Sequence, residues 1–214
     1  MSKHRAFTLI ELLVVVSIIA LLIAIAMPSI AAVRRLSNKT FCKKNLEQIG
    51  VAMHAYLVTN RDTFPYIARL PSYEGAQARK ADREPYPTMA EALHKEIRGG
   101  VKVFACPADE NTMSADPTAT HPILTRRYYD NEGTSYEWES QLNGLRVNFK
   151  TIRVLQDLWK VKLSDMWMMF DFEAFHGGPS KTGSLNSLYV DLHVASDRNN
   201  ENRVIGESTG APPL

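Results

Sequence analysis

An uninterrupted apolar run near the N-terminus is the strongest pattern in this chain. Residues 12–27 read LLVVVSIIALLIAIAM, in which Ser17 is the only polar residue. The wider stretch 7–30 contains 24 residues, and Glu11 is its only charged residue. At about 1.5 Å per residue, a helix of this length crosses a hydrocarbon core of about 30 Å. The run therefore predicts a membrane-active helix.

A helical pattern continues beyond the apolar run. Apolar side chains recur three or four residues apart, which places them on one face of a helix. They are Cys42, Leu46, Ile49, Met53 and Tyr56. We predict one helix from about residue 7 to about residue 58, loosened at Pro28 because proline removes an internal hydrogen bond.

The stretch from residue 61 to residue 122 is rich in loops, because seven prolines interrupt it. One short helix is predicted inside it. Thr88 and Glu91 have the spacing of a capping box, and a pair of glycines at 99–100 ends the helix. Residues 101–105 that follow (VKVFA) predict a strand.

The C-terminal part supplies the predicted sheet. Residues 166–172 (MWMMFDF) predict a buried strand, whereas 151–163 fit either a strand or a helix. Residues 186–194 alternate as one continuous strand would, with Leu188, Val190, Leu192 and Val194 on one face. A long helix followed by these strands predicts an α+β fold class.

Composition excludes several classes of protein. The chain has 22% charged and 45% hydrophobic residues, which excludes wholesale disorder. It has 25 Lys and Arg against 23 Asp and Glu, a formal net charge of +2. This balance gives no concentrated positive charge for phosphates, so we expect no nucleic-acid partner.

Three interpretations of the N-terminal segment compete. A plain transmembrane anchor leaves Glu11 unexplained, since a carboxylate in a spanning helix is costly. A secretory signal peptide fits the basic start and a small-residue cleavage site at 24–26, but it leaves Glu11 unexplained too. The third follows from the short basic leader, the sequence AFTLIE at residues 6–11, the apolar run and Pro28. In this combination the segment resembles type IV prepilins and type II secretion pseudopilins.

The resemblance implies a pilin fold: a long N-terminal helix packed on a small antiparallel sheet with a loop-rich head. It also implies a second interpretation of residues 186–194, two strands joined by a turn at Asp191 and Leu192, where glycine is usual. A leucine at positive φ is costly, so both interpretations of this segment stay open. The resemblance divides the chain into a leader (1–6), a transmembrane and assembly helix (7–30), an amphipathic continuation (31–60) and a globular head (61–214). A prepilin peptidase would cut between Ala6 and Phe7 and methylate the new amino terminus, although Ala6 stands where glycine is usual. Glu11 would neutralise the amine of Phe7 when helices pack together, which fits the cost of an unpaired buried carboxylate.

The same resemblance implies a location and partners. The chain would cross the bacterial inner membrane once, with its N-terminus in the cytoplasm and its head in the periplasm. Its partners would be other pseudopilin subunits and an inner-membrane secretion platform. The count of Lys and Arg opposes this orientation, because five follow the run within residues 34–44 and two precede it. We follow the resemblance, since prepilins keep a basic leader inside. An exported or membrane-tethered enzyme or binding protein is the alternative function.

The two cysteines, Cys42 and Cys106, have no zinc-site spacing. In an oxidising compartment they would pair and tie the long helix to the head. The alternative is two buried thiols that act as small hydrophobic groups. No nucleophile-elbow motif is present, and neither cysteine has a histidine adjacent in sequence, so we predict no enzymatic activity.

Ligand-capable side chains concentrate near the C-terminus. They are Asp171, Glu173, His176, Asp191, His193 and Asp197. Some type II pseudopilins hold calcium in a C-terminal loop, so Asp171, Asp191 and His193 are candidate calcium ligands. No EF-hand or HExxH spacing supports them, and a solvated strand edge and polar loop explain these residues more simply. Beyond this candidate calcium, no cofactor is predicted.

Overall fold

The computed structural model describes residues 9–68, 86–97, 100–109, 127–147, 163–171, 175–176 and 183–196. The predicted leader, the processing residues Ala6 and Phe7, and most of the ambiguous segment 151–163 lie outside these ranges. The chain divides into two compact units, Met1–Ser37 and Asn38–Leu214. Each unit is described separately below.

The first described element is a helix of 51 residues, α1 (Leu9–Thr59), which runs through Pro28 without a break. The single long helix is therefore confirmed. The predicted apolar stripe is buried in the second unit: Cys42, Leu46, Ile49 and Met53 are inaccessible to solvent, and Tyr56 is half-buried. The prediction made from the spacing of these residues is confirmed, because a helix needs only one apolar face to pack on a core.

Four short antiparallel strands form the sheet, in the order β1–β2–β3–β4. They are β1 (Tyr136–Trp138), β2 (Trp167–Asp171), β3 (Asn186–Tyr189) and β4 (Val194–Ser196). In the register, Tyr136 is opposite Asp171, and Leu188 is opposite both Met169 and Val194. A long N-terminal helix and a small antiparallel sheet confirm the predicted α+β class of the pilin fold.

The β3–β4 connection decides between the two interpretations of residues 186–194. The chain turns at Val190 and Asp191, and Leu192 adopts φ 72°. Its amide donates to the carbonyl of Tyr189, and Tyr189 N donates to the carbonyl of His193. The two-strand interpretation is therefore correct, and the continuous strand is wrong. Leu192 packs on the core, which offsets part of the cost of its positive φ.

Residues 101–105 correct another expectation. The predicted strand is a 3₁₀ helix, Val101–Phe104, which follows Gly100 at φ 72°. Its burial does not alternate, because the adjacent side chains of Val103 and Phe104 are both buried while Val101 is exposed. A 3₁₀ turn can direct consecutive side chains into the core. A segment of five residues is too short to distinguish the two-residue repeat of a strand from the three-residue repeat of a 3₁₀ helix.

Two further short helices complete the described head. The capping box of Thr88 and Glu91 is present and starts α2 (Met89–Ala92), which ends well before the predicted glycines. The third helix, α3 (Tyr128–Glu132), ends at Gly133 in the left-handed conformation. Asp109 accepts hydrogen bonds from the backbone of Tyr128 and Tyr129, so a buried carboxylate satisfies the start of α3.

The core of the second unit lies between α1 and the sheet. Trp138, Met168, Met169 and Leu188 form one buried cluster with the apolar stripe of α1. Gly50 faces Leu188, and a Cβ there would lie 3.1 Å from a methyl carbon of that leucine. The helix and sheet therefore approach closely at this point.

Substituting Gly144 should destabilise the head. Gly144 and Gly133 both have positive φ, but a Cβ at Gly144 would overlap the Tyr66 ring, whereas Gly133 faces open space. We expect Gly144→Ala to lower the free energy of unfolding by about 1–3 kcal/mol more than Gly133→Ala. Urea unfolding of both variants in detergent, followed by tryptophan fluorescence, measures the difference. Equal losses of unfolding free energy in the two variants would show that the overlap with Tyr66 does not affect stability.

Candidate functional site

The exposed apolar surface of α1 is the first candidate site. From Leu9 to Val33 its large aliphatic side chains are between 47% and 78% exposed. This is the one described helix that is long and apolar enough to cross a membrane, and none of that apolar window is buried within the protein. A surface this apolar is stable in lipid or against other apolar helices, not in water.

Two of the predicted assembly residues lie in this surface. Glu11 is in the first described turn of α1, and Pro28 lies inside the helix. The hydroxyl of Ser17, the polar residue of the apolar run, donates to the carbonyl of Val14 at 2.8 Å. Its polarity is therefore satisfied within the helix, as lipid surroundings require.

A disulfide joins Cys42 of α1 to Cys106, which follows the 3₁₀ helix. The two Cα atoms are 5.1 Å apart, and both residues are buried. This agrees with the predicted pairing and excludes the alternative of two free thiols. The bridge covalently attaches the amphipathic part of α1 to the rest of the second unit.

Buried polar groups surround this disulfide. His176 Nε2 lies 3.6 Å from Cys106 Sγ and 3.3 Å from Asp171 Oδ2. The side chains of His176 and Asp171 are 1% and 0% exposed. Asp171 Oδ2 also accepts hydrogen bonds from the backbone and side-chain amides of Asn186 on β3. Nearby, Lys39 of α1 donates to the carbonyl of Gly183 at 2.6 Å.

The sequence does not reveal this cluster, because Cys106 and His176 have a sequence separation of 70 and no local spacing links them. The end of β2 and the turn at 175–176 bring Asp171 and His176 to the disulfide. The one feature of the sequence that could have suggested this cluster is residue type, since cysteine, histidine and aspartate can all bind metals or transfer protons.

The three candidate calcium ligands are placed differently. Asp171 is buried beside the disulfide, whereas Asp191 and His193 hydrogen-bond to each other on the exposed β3–β4 turn. Within the described ranges, these three residues do not form a common ligand group. Calcium binding by them stays a prediction.

The buried carboxyl of Asp171 should make stability depend on pH. Burial raises the pKa of Asp171 above its usual range, although hydrogen bonds and charge from His176 and hydrogen bonds from Asn186 act in the opposite direction. The folded state therefore binds this proton more tightly than the unfolded state does. The resulting stabilisation is complete below the ordinary carboxyl pKa and is lost as pH rises through the raised pKa.

We therefore expect the stability of the wild type, relative to Asp171→Asn, to fall as pH rises across that window. Urea unfolding of both proteins at a series of pH values measures it. Asp165→Asn is the matched control, because Asp165 is an exposed aspartate six positions earlier. A difference between wild type and Asp171→Asn that does not change with pH would contradict the raised pKa.

The comparisons with known proteins bear on the N-terminus. Residues 1–27 match the family model described as the prokaryotic N-terminal methylation motif. No curated protein and no solved structure matches the chain. The matched residues include the predicted cleavage position, Glu11 and the whole apolar run 12–27. Such a motif implies processing by a prepilin peptidase and assembly with other pilin subunits, and with the exposed apolar helix it fits a membrane-anchored protein. The chain thus carries a prepilin-type N-terminal cleavage and methylation domain.

Proposed function

We propose that this protein is a structural pseudopilin subunit, which a prepilin peptidase processes and which then assembles into a periplasmic filament of a type II secretion or type IV pilus-like system. The observation that carries the proposal is the methylation motif at residues 1–27 on a helix whose apolar side chains are exposed. The function rests on packing and involves no chemical reaction by the subunit itself.

The helix would have two successive environments. Before assembly, lipid surrounds residues 7–30. During assembly, helix–helix contacts replace the lipid contacts, so the apolar surface is never transferred to water. Glu11 would then pair with the methylated amine of Phe7, in the same subunit or in a neighbour. Such pairing matters because an uncompensated charge in an apolar bundle is strongly destabilising.

The disulfide supports a periplasmic head. Disulfides persist in oxidising compartments and are rare in the cytoplasm. Cys42 and Cys106 both lie after the apolar run, so a head outside the cytoplasm would explain their pairing. The cytoplasmic leader would meet the peptidase at the inner membrane, and the platform that assembles the filament would be an inner-membrane complex.

The position of the N-terminal cut tests this function. Intact-mass and N-terminal peptide analysis of protein from its native membrane should give a mature chain that starts at methylated Phe7. The same protein from a strain without prepilin peptidase is the control and should keep residues 1–6. A start near Met27 would identify a secretory signal peptide instead. An uncut chain would leave only a membrane anchor, and either result would reject the proposal.

A further inference from the structure

We propose that reduction of the Cys42–Cys106 disulfide converts the buried cluster into a zinc site, in which Cys42, Cys106 and His176 bind one Zn²⁺ and the carboxylate of Asp171 lies beside His176. All four residues lie in the unit Asn38–Leu214. The proposal is independent of filament assembly, because it depends only on the interior of that unit.

The distances among the ligand atoms of Cys42, Cys106 and His176 approach those of a tetrahedral zinc site. Zinc bonds of about 2.3 Å to sulfur and about 2.0–2.2 Å to nitrogen and oxygen place neighbouring ligand atoms about 3.3–3.8 Å apart. His176 Nε2 is 3.6 Å from Cys106 Sγ and 3.3 Å from Asp171 Oδ2. The ligand atoms of Cys42, Cys106 and His176 all lie within 4.8 Å of one another. Most of the required geometry is present before any metal binds.

The donor set favours zinc over calcium. Two thiolates and an imidazole are the soft and borderline ligands that Zn²⁺ prefers, whereas calcium binds oxygen atoms. Burial also favours a cation here. Asp171 Oδ1 and His176 Nδ1 are buried and make no hydrogen bond among the described residues. A metal at His176 Nε2 would lie close to the desolvated carboxylate of Asp171 and would compensate its charge.

The disulfide and the metal exclude each other. A phosphine reductant cleaves the S–S bond: the phosphine and one water become the phosphine oxide, and the two sulfur atoms gain two electrons and two protons as thiols. Zinc then displaces both thiol protons to the solvent as two Zn–S bonds form. The sulfur atoms must separate to about 3.8 Å, the S···S edge of a tetrahedral site. Oxidised protein therefore cannot bind zinc at these two residues.

Cobalt titration of the reduced chain tests the proposal. The full-length protein in detergent micelles is reduced with a phosphine, freed of reductant without oxygen, and titrated with Co²⁺. We expect thiolate-to-cobalt charge-transfer absorption and the visible bands of tetrahedral Co²⁺, both saturating at one equivalent and both abolished by Zn²⁺. Protein that keeps its disulfide should show neither signal.

Variants separate this site from incidental thiol binding. His176→Gln should weaken Zn²⁺ binding at least about tenfold, and Asp171→Asn should weaken it about 10- to 100-fold. His193→Gln is the matched control, because His193 lies on the exposed turn, and it should bind like the wild type.

Three results would overturn the proposal. One is the absence of tetrahedral cobalt bands in reduced wild type. Another is equal affinity of the wild type and His176→Gln, which would assign the binding to the thiols alone. The third is loss of the near-ultraviolet circular dichroism of the head on reduction, because the site requires β2 and the turn at 175–176 to stay folded.

Discussion

Replacing both cysteines with alanine should lower the free energy of unfolding of the head by about 4 kcal/mol. The disulfide closes a loop across a sequence separation of 64, and the loss of this constraint makes the unfolded chain more disordered. Small domains are stable by only about 5–15 kcal/mol, so the loss is a large fraction of the total. Urea unfolding of the full chain in detergent micelles, followed by tryptophan fluorescence, measures it.

Reduction provides the control for this prediction. A phosphine should destabilise the wild type by a similar amount when metal is absent, and it should leave Cys42→Ala/Cys106→Ala unchanged. The second comparison excludes an effect of the reductant on the rest of the protein. If the oxidised wild type and the double variant unfolded at the same urea concentration, the bridge would contribute nothing to stability.

The parts of the fold that could be predicted from sequence are those with long-range periodicity. The apolar run is long enough to cross a membrane as a helix, and the stripe from Cys42 to Tyr56 repeats with helical spacing over about four turns. The strand β2 was predicted to within one residue at each end because MWMMFDF is strongly apolar and aromatic. In both cases, local preference and tertiary burial favour the same structure.

The wrong strand at 101–105 and the segment 186–194, for which two interpretations stayed open, lie where local preference and tertiary burial disagree. Residues 101–105 are too few to distinguish a strand from a 3₁₀ helix, and the burial of Val103 and Phe104 decided the outcome. At Leu192, local preference opposes a turn. The turn forms because pairing of Leu188 with Val194 and packing of Leu192 on the core outweigh the strain of positive φ.

The two candidate sites also differ in whether the sequence alone predicts them. The methylation motif is contiguous, so residues 1–27 identify it without any structure. The buried cluster is assembled from α1, the segment after the 3₁₀ helix, β2 and a turn, and no local spacing records that assembly. The disulfide was accessible to prediction because two cysteines allow one pairing, but nothing in the sequence placed His176 and Asp171 beside it.

Replacing Glu11 with alanine should leave processing intact and abolish most filament assembly. The proposed function gives this carboxylate one task, which is to compensate the amine of Phe7 inside a bundle of apolar helices. Removing one partner of a buried ion pair costs about 3–5 kcal/mol, so the yield of filament should fall at least tenfold. The measurement is the amount of processed subunit in the sheared filament fraction relative to the membrane fraction.

Two further variants show whether charge is the cause. Glu11→Gln keeps the length of the side chain but removes its charge, and it should fail to assemble as Glu11→Ala does. Ser17→Ala removes a hydroxyl whose hydrogen bond among the described residues is to Val14 of its own helix turn, so this variant should assemble normally. Normal incorporation of Glu11→Ala would reject the ion pair, while assembly by Glu11→Gln alone would assign Glu11 a packing role. Because mass analysis of the same fractions reports the cut at Ala6–Phe7, a defect in processing cannot be mistaken for a defect in assembly.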